Sequence, residues 1–161
     1  MAEQGETYAK FIEAELKTEM ERRASLDARG LGIVTSSTAL ITLMFSLSVL
    51  ITGKDYTFGV LGQGGVVVSL LLFIVAGVLG IAANQAREYE VTHEDTLYEM
   101  LGAHWTDDEV DARNTCAYRN VVSIQSLRRG NESKAEQITW ALFFQVAAIT
   151  ALAISLAGEV L

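Results

Sequence analysis

Proline is absent from this chain of 161 residues, cysteine occurs once and histidine twice. A single cysteine excludes a disulfide-stabilised scaffold. Basic residues are scarce, with 12 Lys and Arg against 20 Asp and Glu, which excludes a nucleic-acid binder that relies on a basic surface. The phosphate-binding loop and the Gly-x-Gly-x-x-Gly and Gly-x-Ser-x-Gly motifs are also missing, so the sequence predicts neither an enzyme nor a cofactor.

The sequence is rich in hydrophobic residues, which make up half of the chain and are separated from the charged ones. Residues 30–53, 56–86 and 137–158 carry no charged side chain. About 20 apolar residues in a helix cross a bilayer, and three buried soluble helices would leave too little chain to cover them. The sequence therefore predicts an all-α membrane protein with transmembrane helices at 31–52, 58–84 and 137–158.

The distribution of Lys and Arg predicts the orientation in the membrane. Eleven of the 12 basic residues lie before the first span or between the second and the third, and only Lys54 lies between the first two. Basic residues favour the cytoplasmic side. We therefore expect a multi-pass protein of a bacterial inner membrane, with a cytoplasmic N-terminus and the C-terminus outside.

The parts outside the predicted spans are an N-terminal cytoplasmic helix, residues 1–30, and a cytoplasmic helical hairpin, residues 85–132. Gly30 and Gly32 make a bend plausible where the first helix meets the membrane, although a continuous helix remains an alternative. Together these helices would make a small antiparallel bundle. Its surface is acidic, because residues 84–138 carry 11 acids and 6 bases.

Local signals predict where the hairpin helices begin and end. The second span has no breaker before Gly102, so we expect its helix to continue through Ala83–Leu101 and to end there. Thr106–Glu109 has the form of a capping box that starts the next helix, which should end near Gly130. A second capping box, Ser133–Glu136, should then start the third span.

Few residues outside the spans suggest chemistry. Glu90 and His93 have the spacing that places two metal ligands on one helix face, but the only other histidine, His104, lies beyond Gly102. Exposed helix residues are the preferred interpretation, so no metal site is predicted. We expect Cys116 to be a packed helix residue.

The spans carry two kinds of polar or small face. Four hydroxyl residues of the first span fall on one helix face, where they either bond backbone and neighbouring helices or line a water-filled pathway. Small residues recur in the other two spans, which allows close helix packing. No ionisable residue lies within a span, which argues against a proton-coupled carrier. The candidate pathway or packing face is Thr35, Thr38, Thr42, Ser46 and Gln145, and the candidate packing residues are Gly65, Ser69, Ala76, Gly80, Ala147, Ala151 and Ser155.

The order of parts is similar to that of a known group. A helix that ends in the residues 22–30, RRASLDARG, leads into two close spans, and the residues 128–134, RRGNESK, lead into an alanine-rich span with Gln145. This layout resembles small actinobacterial membrane proteins of the Pycsar-effector and SLATT type, although the third span departs from their two-span members. The resemblance implies a homo-oligomeric defence effector that permeabilises or depolarises the membrane when triggered. No ligand-contacting residue is carried over.

Two functions follow as hypotheses. The first is an oligomeric inner-membrane protein that forms or gates a membrane pathway, or perturbs membrane integrity, when a cytoplasmic protein or small molecule triggers its cytoplasmic helices. The alternative is a non-catalytic anchor or scaffold that docks a partner protein through its acidic bundle. Lipid is a partner in both, and nucleic acid in neither.

Overall fold

A computed structural model describes residues 2–52, 59–85, 89–90 and 94–160. It contains four helices, α1 (Ala2–Thr52), α2 (Val60–Asn84), α3 (Glu94–Leu101) and α4 (Glu109–Val160). No strand occurs in these residues, so the all-α fold class is confirmed. Residues 53–57, between the first two predicted spans, lie outside the described residues.

Helix α1 is continuous from Ala2 to Thr52 and passes Gly30 and Gly32 as a helix. The alternative of an uninterrupted helix is therefore the correct one. Gly30 has a packing role, since a Cβ added there would lie 3.2 Å from the carbonyl oxygen of Gly80. The small residue allows two helix backbones to approach closely, which explains a glycine within a helix.

Helix α2 ends at Asn84, and this contradicts the prediction of one helix through Ala83–Leu101. Gln85 has an extended backbone, and its N–H bonds to the carbonyl of Ala82 at 3.3 Å. A separate short helix, α3, occupies Glu94–Leu101. Its predicted end at Gly102 is confirmed, because the Gly102 N–H donates to the carbonyls of Tyr98 and Glu99.

Helix α4 begins at Glu109, and its N-cap is Asp108 rather than Thr106. The Asp108 carboxylate accepts from the backbone N–H groups of Val110 and Asp111, at 2.8 and 2.9 Å. A carboxylate at the N-cap satisfies amides that have no intrahelical acceptor. The predicted helix start was thus in the right segment, but two residues too early.

The predicted helix end near Gly130 and the new start at Ser133 are wrong, because α4 runs without a break to Val160. The hairpin helix and the third span are one helix. Gly130 is a contact point, since a Cβ there would lie 2.6 Å from the ring of Tyr89. Close packing, and not helix termination, explains this glycine.

The chain forms two compact units, residues 1–25 with 86–133 (unit 1) and residues 26–85 with 134–161 (unit 2). In unit 1 the α1 and α4 segments run parallel, because Gly5 packs on Arg113 and Glu19 bonds to Asn131. The expected antiparallel bundle is therefore wrong for this pair.

In unit 2, α1 and α4 also run parallel, and α2 is antiparallel to both. A small core of Leu26, Ile33, Ala83, Ile138 and Ala141 joins the three segments. Three helices, within Gln4–Leu47, Gly62–Asn84 and Glu109–Gly158, are long and apolar enough to cross a membrane. Only 22–28% of the most apolar part of each is buried by the chain itself, so large apolar faces remain for lipid or another protein.

Candidate functional site

The four hydroxyls of α1, which we call the hydroxyl stripe (Thr35, Thr38, Thr42 and Ser46), are all exposed. Each hydroxyl donates to the carbonyl four residues earlier in its own helix, at 2.9–3.0 Å. The neighbouring face of α1, with Ile33, Ser37 and Met44, is buried in unit 2. Packing within one chain therefore does not bury the stripe.

Gln145 lies apart from the stripe, on a buried face between α4 and α1. Its amide nitrogen donates to the hydroxyls of Ser36 at 2.7 Å and Ser37 at 3.3 Å. Ser36 in turn donates to the carbonyl of Ile33 at 3.1 Å. An amide in an apolar helix needs such partners, because no water replaces them. Gln145 therefore lies in a helix-packing contact, the Gln145–Ser36–Ser37 cluster, which is separate from the stripe.

The small residues of α2 and α4 bring these two helices close together in unit 2. A Cβ added to Gly65 would lie 2.6 Å from the Cβ of Ser155. The Ser155 hydroxyl donates to the carbonyl of Gly62 at 2.7 Å, and the Ser69 hydroxyl donates to that of Ala148 at 2.8 Å. These bonds hold α2 against α4, as expected where small polar residues meet in apolar surroundings.

The other predicted packing residues differ in how fully they are buried. Ala76 is completely buried, and Gly80 would place a Cβ 3.1 Å from the carbonyl oxygen of Gly30. Ala147 and Ala151 are half-buried. The α2 residues therefore contribute the tightest packing, and the two alanines line its edge.

In unit 1, a charged cluster joins α1 to α4. Arg128 donates to Glu19 at 2.9 Å and to Glu15 at 2.6 Å, and buried Asn131 donates to both the carboxylate and the backbone carbonyl of Glu19 at 3.0 Å. Burial raises the pKa of Glu19, but hydrogen bonds from Asn131 and Arg128 lower it by more. With Arg22 adding its charge, the pKa lies below its ordinary value of 4.5.

A second pair of charged residues lies in unit 2, where Lys134 of α4 donates to Asp27 of α1. The Lys134 side chain is 2% exposed, and that of Asp27 is 34% exposed. A buried ammonium without a carboxylate would be costly. The capping-box prediction placed Lys134 at a helix start and did not identify this pair, because spacing along the chain does not show which helices become neighbours.

The remaining chemical candidates are Glu90, His93, His104 and Cys116. Within the described residues, no group of three or more His, Cys, Asp and Glu is placed to hold a metal, and His93 lies outside them. Glu90 donates its backbone N–H to Ser126. Cys116 is exposed, which contradicts its prediction as a packed residue. It lines a cavity of about 270 Å³ with Trp105 and His104, whose ring nitrogen lies 2.9 Å from Asp107.

The geometry thus offers an uncovered hydroxyl stripe, a buried polar cluster between parallel helices, and two charged contacts between α1 and α4. Comparisons with known proteins add no assignment to these features: the chain matches no protein-family model, no curated protein and no solved structure.

Proposed function

We propose that the chain is an integral membrane protein that assembles into a homo-oligomer and forms or gates a pathway across the bilayer. The observation that carries this proposal is the hydroxyl stripe, which stays exposed while Ser69, Gln145 and Ser155 are buried and bond to neighbouring helices. Polar residues in a membrane helix face protein or a water-filled cavity. A second copy, or water enclosed by several copies, would meet this requirement.

The bonding of the stripe favours a wetted face. A hydroxyl has one donor and two acceptor lone pairs, and in Thr35, Thr38, Thr42 and Ser46 the donor is already used by the helix backbone. Acceptor lone pairs therefore remain on an exposed surface, where water or cations are suitable partners. The resemblance of the layout to Pycsar-effector and SLATT-type proteins favours a pathway that opens on a trigger, and unit 1 is the part that would receive it.

Cysteine crosslinking tests the assembly without knowledge of the trigger. In a Cys116→Ser background, Thr38→Cys should form disulfide-linked dimers in membranes, because stripes of neighbouring copies face one another. Thr150→Cys is the matched control, since Thr150 is also exposed and bonds to the carbonyl four residues earlier. Equal crosslinking at both positions, or at neither, would contradict a stripe-lined assembly.

Permeability is measured with a membrane-potential dye in a bacterium that expresses the protein. Replacement of Thr35, Thr38 and Thr42 by Val keeps the side-chain shape but removes the hydroxyls, and should suppress depolarisation. The double variant Thr139→Val with Thr150→Val makes the same change on α4 and should not suppress depolarisation. Absence of depolarisation in the wild type, with and without the trigger, would refute the pathway.

One observation favours the anchor or scaffold as a second candidate. Unit 1 exposes large aromatic side chains, with Tyr8 69%, Phe11 64% and Tyr118 66% exposed, on an acidic surface. Exposed aromatic residues are enriched at protein interfaces. Purification in mild detergent separates the two proposals: a uniform homo-oligomer supports the pathway, and a monomer that co-purifies stoichiometrically with another protein supports the scaffold.

A further inference from the structure

An open groove of about 280 Å³ runs between α1 and α4 within unit 2. On the α1 side it is lined by Arg29, Gly32, Ile33 and Ser36, which have the i, i+3, i+4, i+7 spacing of one helix face. Seven residues of helix separate Arg29 from Ser36, so this side is about 10 Å long. The groove therefore has a cationic end at Arg29 and extends along the helix into the apolar part of the chain.

The cationic end has no ion-pair partner among the residues that the structure describes. Arg29 is exposed, and no ion pair joins it to another residue in the part of the chain that the structure describes. The other cation at this level, Lys134, is buried and satisfied by Asp27. The two cations thus have different environments, and the guanidinium of Arg29 is available to bind an anion such as a phosphate in a bidentate manner.

Between Arg29 and its polar inner end at Ser36 and Gln145, the groove is apolar and has open space. Its walls are Ile33, Ile138 and Leu142, and a Cβ added to Gly32 would meet no atom within 4 Å. An apolar surface of this shape favours a hydrocarbon chain through the hydrophobic effect. The position agrees with such a ligand, because Arg29 is the last charged residue before the uncharged stretch that begins at Gly30.

We propose that this groove binds one anionic phospholipid, with its phosphate at Arg29 and an acyl chain along Gly32, Ile33 and Leu142. The occupant must combine an anion with an apolar chain, and a membrane supplies phospholipids with this chemistry at the level of Arg29. Basic pockets between membrane helices are known sites for anionic headgroups. This site does not depend on whether the spans conduct.

The test measures binding of phosphatidylglycerol and phosphatidylcholine to the full-length protein in mild detergent by native mass spectrometry. We expect the wild type to retain phosphatidylglycerol preferentially. Arg29→Gln should lower its affinity about fivefold, the effect of one basic residue near an anionic surface, and should remove the preference over phosphatidylcholine. Gly32→Leu fills the groove and should lower binding of both lipids.

Two matched variants control for general effects. Arg129→Gln removes an exposed arginine away from the groove, and Gly77→Leu adds the same side chain at another glycine where a Cβ meets nothing. Both should bind lipid as the wild type does. Equal binding of the two lipids by the wild type, or an unchanged affinity in Arg29→Gln and Gly32→Leu, would overturn the proposal. If Gly32→Leu changes the oligomeric state but not lipid binding, the groove is instead an interface between copies, which also overturns it.

Discussion

Replacement of Gly65 by Ala tests the closest contact between α2 and α4. The added Cβ would lie 2.6 Å from the Cβ of Ser155, about 1 Å closer than the optimal distance between two carbon atoms. The Ser155 Cβ is fixed to the backbone and cannot rotate away. The substitution therefore forces the two helices apart instead of displacing one flexible side chain.

The expected loss of stability has two parts. Overpacking of a methyl group costs about 1–3 kcal/mol. Separation of the helices also weakens the bonds from Ser155 to Gly62 and from Ser69 to Ala148, and a hydrogen bond between membrane helices contributes about 0.6 kcal/mol. We expect Gly65→Ala to lower the free energy of unfolding by about 2–4 kcal/mol, measured by SDS titration in mixed micelles with circular dichroism.

The adjacent glycine is the matched control. A Cβ on Gly64 would meet no atom within 4 Å, so Gly64→Ala should leave stability unchanged or raise it by up to about 1 kcal/mol through helix propensity. The exchange Gly65→Ala with Ser155→Gly moves the methyl-sized group to the other helix and should recover most of the loss. Equal effects of Gly64→Ala and Gly65→Ala, or no recovery in the double variant, would refute this account of the contact.

Three further predictions concern the charged residues and the topology. Asp27→Asn leaves the buried Lys134 without its carboxylate and should cost about 3–5 kcal/mol in SDS unfolding, whereas Asp27→Leu with Lys134→Met should recover most of this loss. The lowered pKa of Glu19 stabilises unit 1 above about pH 4.5, and this contribution should be lost as the pH falls through the lower folded-state value. The pH dependence of unfolding should therefore weaken in Glu19→Gln. Cys116 should react with an impermeant thiol reagent only after the inner membrane of spheroplasts is breached.

Each of these predictions has a control and a contrary result. Lys17→Gln breaks only an exposed ion pair with Glu21 and should not measurably change stability in SDS unfolding. If Asp27→Asn lowered stability no more than Lys17→Gln does, the argument from a buried pair would be wrong. Glu21→Gln should keep the wild-type pH dependence of unfolding. If Glu19→Gln also kept it, Glu19 would not be the source of that pH dependence. Cys116→Ser should show no labelling, and labelling of wild-type Cys116 in intact spheroplasts would reverse the predicted orientation.

The long apolar segments were predictable, because their length and lack of charge are local properties of the chain. The start of α4 was predicted in the right segment because an N-cap is also a local feature of the sequence. Ser133–Glu136 was misread because a capping sequence is also a good helix interior when neighbouring contacts hold it. Here Asn131 and Lys134 on α4 bond to Glu19 and Asp27 on α1, and these contacts favour a continuous helix over the local signal.

The candidate residues were predictable by type but not by partner. The hydroxyl spacing predicted that Thr35, Thr38 and Thr42 share one face of α1, and left open whether that face packs against a helix. The structure shows that it is exposed. The sequence did not identify Ser36 and Ser37 as the partners of Gln145, because that contact depends on how α1 is rotated against α4. Packing over the whole interface determines this rotation, so no single residue in the sequence indicates it.

The polar groups of the spans also differ in when their bonds can form during synthesis. The hydroxyls of Thr35, Thr38 and Thr42 bond within α1, so the first span can enter a bilayer with them already satisfied. Gln145 needs Ser36 and Ser37, and Ser155 needs Gly62. In a membrane, these partners would be translated and inserted before α4 emerges. The third predicted span would therefore meet its acceptors already in place.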